Sequence, residues 1–209
     1  MKFVYVAFAM LLVVGACSEK KKLPILGNRA AVERLIDCKL QIDTLYATVA
    51  DFSLSNQDGK TITQETVKGK IYIADFFFAS CPTICPIMKK QMIRVFEKYK
   101  GDTGILFLSH TIDPEHDTIA LLKDYATRLG SDGTQWMFLT GEREQIYELA
   151  EKGYYATAMP DSLEPGGYVH SGGFILVDGQ RRVRGIYNGT DEKEVDQLML
   201  DMDLLKNEQ

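Results

Sequence analysis

An α/β sandwich around a mixed sheet is what this sequence predicts, on three observations. Residues 71–78, 104–110 and 136–139 are apolar runs too continuous for a strand with one wet face, so each reads as a covered strand. Segments of helical spacing alternate with them. Near the end, Asp178-Gly179 joins residues 174–177 to 182–187 as a hairpin, with one more helix behind it. At 209 residues the chain has material for one core of ordinary size and little for a second domain.

The elements are justified in chain order. Residues 1–16 read as a targeting leader: Lys2 supplies a positive start, and residues 3–14 are apolar but too short to span a bilayer comfortably. Val14-Gly15-Ala16-Cys17 resembles a bacterial lipobox, which implies cleavage before Cys17 and lipidation of that residue; an ordinary signal peptide or a short membrane anchor is the alternative. Residues 17–40 then form the lipidated cysteine and its tether, opening with the polar Ser18-Glu19-Lys20-Lys21-Lys22. The compartment expected is extracytoplasmic and periplasm-facing, with the protein held on a bacterial membrane. Formal net charge is −5, or −6 once Lys2 is removed, and there is no long basic stripe, which argues against a nucleic-acid partner.

The main domain occupies residues 41–209. Residues 41–46 and 48–54 read as short strands, an N-terminal strand or hairpin extension, and Asn56-Gln57-Asp58-Gly59 as a turn. After the strand at 71–78, a helix is expected over 86–99, with Ile87, Met88, Met92, Ile93 and Phe96 at helical spacing and Gly101 closing it. Further helices are expected at 117–129, 142–152 and 191–205, and a glycine-rich loop at 153–173.

The chemistry concentrates where the first covered strand meets its helix, in Asp75-Phe76-Phe77-Phe78-Ala79-Ser80-Cys81-Pro82-Thr83-Ile84-Cys85-Pro86. A helix N-terminus stabilises a thiolate. Four residues apart on a helix, the two side chains share a face with Cβ atoms roughly 5–6 Å apart, within reach of a disulfide or of one shared ion. A purely structural bridge would close a tiny loop and add little. Without Cys17 three cysteines remain, an odd number; Cys38 reads as an inert buried thiol. Asp75 in an apolar strand is costly unless paired, which leaves an accessory ligand, a charge tuning the thiolates, or a partner for a nearby lysine. His110 reads as a satisfied structural histidine, Asp113-Pro114 as a turn, and Met88 and Met92 as core.

Residues 75–86 resemble the site of the Sco/SenC family, marked by a cysteine pair with three residues between and a proline after. Three further patches resemble it: Asp51-Phe52-Ser53-Leu54 with Asp58-Gly59, Ile112-Asp113-Pro114-Glu115-His116-Asp117-Thr118, and the histidine loop Tyr168-Val169-His170-Ser171. Ala50 and Val169 depart from the family's usual proline and aspartate. The resemblance implies a thioredoxin-like fold that binds copper, Cu(I) or Cu(II), through Cys81, Cys85 and His170. It also implies a role in building the copper centre of cytochrome c oxidase, with the copper-bearing subunit or its assembly factors as partners. Two thiolates and an imidazole suit copper, although zinc would accept them with a fourth ligand. Glycines at 166, 167, 172 and 173 let the loop of His170 swing. A thiol–disulfide reductase using Cys81 and Cys85 as its redox pair is the alternative function. Against a general reductase stand the three-residue spacing and the absence of a proline before residue 174.

Overall fold

Seven strands form the central sheet of the computed structural model, which describes residues 22–37, 39–161 and 163–208. The leader, Cys17 and Cys38 lie outside the described residues. Two strands precede the sheet as a separate antiparallel hairpin, β1 (Arg29–Ile36) and β2 (Lys39–Tyr46). The sequence reading places no strand before residue 41, because residues 29–36 mix charged and apolar side chains with no buried face.

The sheet itself uses β3 (Ser53–Asn56), β4 (Thr61–Thr63), β5 (Ile71–Phe77), β6 (Ile105–Thr111), β7 (Trp136–Thr140), β10 (Gly173–Val177) and β11 (Val183–Asn188). Their order across the sheet is β11-β10-β5-β6-β7-β3-β4. The central three are parallel, and β10 and β3 flank them antiparallel. β5, β6, β7 and β10 are buried at every position, as continuous apolar strands covered on both faces should be. β3 begins later than expected from the sequence. Val49 and Phe52 are buried, but Val49 bonds Arg181 on the hairpin at the far edge, so this stretch crosses the body before it enters the sheet.

Helices α1 (Gln64–Val67), α2 (Ile84–Tyr99), α3 (Ile119–Arg128), α4 (Arg143–Glu148) and α5 (Glu192–Lys206) cover the sheet, and one π turn, Leu149–Gly153, extends α4. α2 starts two residues before Pro86, which occupies the first turn where its missing N–H would be unpaired anyway. Its buried stripe is Cys85, Met88, Lys89, Met92, Val95 and Phe96; Ile87 falls off the stripe and is 48% exposed. The loop expected at 153–173 contains a small ribbon, β8 (Ala158–Pro160) paired with β9 (Tyr168–His170). Among the described residues no helix is long and apolar enough to cross a membrane.

Candidate metal centre

Parallel strands deliver the loops after them to one edge of the sheet, and that edge is where this site lies. β5 ends at Phe77, and a turn closed by Cys81 N–H donating to the Phe78 carbonyl (3.1 Å) sets Cys81 just outside α2. Cys85 comes next, in the first turn of α2. From the opposite side, β9 ends in His170, held by the register Ala158↔His170 and by Ser171 N–H donating to the Thr157 carbonyl (2.9 Å). The sulfurs of Cys81 and Cys85 and a ring nitrogen of His170 all lie within 4.8 Å of one another. His170 Nε2 is 3.1 Å from Cys85 Sγ and 4.0 Å from Cys81 Sγ. Both thiols are free.

The imidazole is oriented by its own backbone. Nδ1 faces the Ser171 carbonyl at 3.3 Å; a carbonyl can only accept, so Nδ1 carries the proton and Nε2 offers its lone pair to the sulfurs. The carbonyl thus supplies the bond that Val169, in place of a carboxylate, cannot. The Phe78 ring packs edge-on against His170 at 5.9 Å between centroids and lies tilted against Tyr168 at 5.3 Å. Gly166 comes so close that a Cβ there would stand 2.7 Å from the Phe78 ring, and its φ of +92° is strained for any other residue. A cavity of about 150 Å³ opens beside the cluster, lined among others by Cys81, Ile84, Tyr168 and His170.

The two thiols differ in character. Burial pushes Cys81 up, but the N–H groups of Thr83 and Cys85, the Cys85 thiol and the Thr83 hydroxyl outweigh it, and the net shift is down. Burial drives the Cys85 thiol far up, despite a bond from the Phe78 backbone, and the Cys81 sulfur adds to the rise. Burial also lowers His170, with the Ser171 bond opposing it. Of the two thiols, Cys81 is therefore the easier to ionise and Cys85 the harder.

Asp75 does not join this cluster. Its Oδ2 is 2.5 Å from Lys89 Nζ and its Oδ1 accepts from the Ser109 hydroxyl at 2.5 Å, so both oxygens are taken. The lysine-partner alternative is therefore the one seen, and Lys89, one turn beyond Cys85, is the residue the sequence reading missed. A lysine on the apolar stripe of α2 was the available signal. Lys89 also lies 4.4 Å from the centre of the Phe77 ring and 3.0 Å from the Ser109 hydroxyl. His110 is fully buried and stacked on Phe76 at 5.0 Å, yet its Nε2 finds no partner among the described residues, so it is structural without being fully satisfied. Met88 and Met92 are core.

Asp113 and Asp117, which the sequence marked only as a turn and as part of the patch 112–118, form a support for the site. Asp113 turns the chain, its carbonyl accepting from the N–H groups of His116 and Asp117, while its Oδ1 accepts from the Tyr168 hydroxyl at 2.8 Å. Asp117, fully buried, accepts from Thr111 Oγ1 (2.5 Å) and from the N–H of Ala79 (3.0 Å), two residues before Cys81.

Comparison with known proteins agrees with this architecture. The family model described as SCO1/SenC matches residues 41–201. A SCO1/SenC family lipoprotein from Bacillus anthracis superposes with a TM-score of 0.70 at 28% identity, covering 76% of this chain and 95% of that one. BsSco, described as a member of the Sco family of cytochrome c oxidase assembly proteins with a disulfide switch, gives 0.68 at 32% identity over 78% and 95%. Bradyrhizobium japonicum ScoI, solved with copper bound, gives 0.61 at 25% identity over 73% and 98%. The fold is thioredoxin-like, with the hairpin β1–β2 added at its N-terminal side. With most of the domain matched, the chain belongs to the SCO1/SenC family.

Proposed function

We propose that this protein carries copper as cargo on Cys81, Cys85 and His170, and delivers or prepares it for the copper centre of cytochrome c oxidase. The observation that carries the reading is the convergence of two sulfurs and one imidazole nitrogen within 4.8 Å, from segments 85 residues apart in the chain. This donor set is soft enough for Cu(I) and adequate for Cu(II). Binding the ion requires both thiols to be deprotonated, Cys81 at the smaller cost, while the Nε2 lone pair already faces the sulfurs. The copper-bearing subunit or its assembly factors are the partners this reading names, and a lipid on Cys17 would hold the protein on the extracytoplasmic face of a bacterial membrane. Similarity to a copper-bound ScoI and to a family lipoprotein supports both points.

A second reading is favoured by the contrast between the thiols. Cys81, the easier thiol to ionise, attacks a target disulfide and expels one target sulfur as a thiolate. Cys85 then passes its proton to His170 Nε2, 3.1 Å away, attacks the Cys81 sulfur and releases the second target sulfur. This leaves a Cys81–Cys85 disulfide and a reduced target, the division of labour of a thiol–disulfide reductase. Copper titration of the reduced protein and of His170→Ala, followed by desalting, separates the two. Cargo binding requires one copper retained in wild type and a large loss in the variant; disulfide reduction requires neither.

A further inference from the structure

The Cys81–Cys85–His170 centre makes no use of the β1–β2 hairpin, an element exposed along nearly its whole length. β1 and β2 pair over eight residues, from Arg29↔Tyr46 to Ile36↔Lys39, and nearly every position is open to solvent. Leu35, Leu40 and Ile42 are 73%, 64% and 75% exposed, and the register puts them together on one face. Ile36 and Leu45 are exposed on the other. Lys39, Arg34, Gln41 and Asp43 share that second face, so the apolar surface is concentrated on the face of Leu35, Leu40 and Ile42 and, with Ile36, at the tip of the ribbon. Its charges balance, Arg29, Arg34 and Lys39 against Glu33, Asp37 and Asp43, so the ribbon carries no net charge.

The stem of this hairpin is fixed at the end of the sheet remote from the metal centre. Ala47 N–H donates to Asn28, Leu26 to Val183 and Val49 to Arg181, each at 2.8 Å. Val183 and Arg181 lie at the β10–β11 turn, which is level with the start of β5: Val177 pairs with Tyr72, and Gly69 donates to Gly179. The cysteines lie beyond the other end of β5, roughly 20 Å away along seven residues of strand. The chain reaches the stem through a clamp, in which Arg184 donates to the carbonyls of Leu23 (2.6 Å) and Pro24 (2.9 Å) and to Glu208 (2.6 Å). From Leu23 back to Cys17 is six residues, about 20 Å when extended. A lipid on Cys17 therefore keeps this pole close to the bilayer, within the length of the hairpin, whose strands of eight residues reach about 26 Å.

We propose that the apolar end of the β1–β2 hairpin, Leu35, Ile36, Leu40 and Ile42, docks on the lipid bilayer as a second contact beside the Cys17 lipid. The proposal rests on the lipid-anchor reading for its geometry. One tether leaves the body free to rotate; two contacts at one pole turn the Cys81–Cys85–His170 centre away from the membrane. The hairpin has unpaired backbone groups on its outer edges, so it belongs in the interfacial layer and not in the hydrocarbon.

The test uses the full chain, purified from membranes and placed on phosphatidylcholine–phosphatidylglycerol vesicles with or without bromine on the acyl chains. Leu40→Trp and Ile42→Trp report on the hairpin. Leu163→Trp, 92% exposed in the loop beside the metal centre, reports on the opposite pole, and the buried Trp136 is the constant background. Brominated lipid is expected to quench the hairpin reporters severalfold more than Leu163→Trp. The mass of the peptide carrying Cys17 reads lipidation separately. Hairpin quenching without the lipid mass removes the anchor and keeps the hairpin contact. Lipidated, vesicle-bound protein with equal or no quenching at both poles overturns the proposal. So does shielding of the hairpin that tracks protein concentration, which would assign it to a second copy. Protein neither lipidated nor quenched overturns both readings.

Discussion

The Tyr168 hydroxyl donates to Asp113 Oδ1 at 2.8 Å, and this bond ties the loop that carries His170 to the turn after β6. The loop is thus less free than its glycines suggest: one end of β9 is pinned to the body and the Phe78 ring fills the space behind it. Burial first, and then Asp113, push the Tyr168 hydroxyl up to about 12, so it stays a donor across the neutral range. Tyr168→Phe removes one hydrogen bond and keeps the ring. A bond of this kind is worth about 1 kcal/mol, so copper affinity should fall about three- to tenfold in a competition titration, with a similarly small loss of stability. Unchanged affinity would mean that the pin does not position His170.

The buried pair Asp75–Lys89 makes a sharper stability prediction. Removing one partner of such a pair strands the other charge and costs about 3–5 kcal/mol. Lys89→Met and Asp75→Ala should each show that loss in urea unfolding. The double variant Asp75→Leu/Lys89→Met should recover most of it. Single variants that cost less than about 1 kcal/mol would show that water reaches the pair.

The two thiols should separate in alkylation. At neutral pH, iodoacetamide should label Cys81 first, with Cys85 slow until the protein unfolds, as read by peptide mass. The Cys81 rate should rise through a midpoint below that of an ordinary thiol. Faster labelling at Cys85 would contradict the assignment of roles.

His110 predicts a pH dependence of folding. Burial pushes it down to about 4, with the Asp75 charge opposing, from an unfolded value near 6.5. The unfolded chain binds the extra proton between those values, so the stability is complete above about 6.5 and drains away as pH falls toward 4. The full span is of the order of 3 kcal/mol. Urea unfolding at pH 7 and at 4.5 should show much of that loss in wild type, and distinctly less in His110→Phe, which keeps the stack on Phe76.

The central strands were legible in the sequence because their burial is complete, and the helices because their buried residues recur at helical spacing. Continuous apolar runs at 71–78 and 136–139 have few other readings, and a proline beside Cys85 marks a helix start. Cys81, Cys85 and His170 were legible through motif and chemistry together. The partner of Asp75 was not, because pairing of a buried charge depends on which face of α2 meets β5, and that is set by packing. Tyr168–Asp113 was hidden for the same reason: 55 residues separate the two, and neither side chain is unusual in a turn or a loop. The hairpin at 29–46 was half seen, since a ribbon with no buried face leaves no alternation to read.

The central claim is that His170 completes a copper site with the two cysteines, and absorption after addition of one equivalent of Cu(II) to the reduced protein tests it most directly. The wild type should develop sulfur-to-copper charge transfer and keep one metal through desalting. His170→Ala should lose most of the retained metal and shift or weaken the band. A band and a retained equivalent that are the same in both proteins would contradict the account.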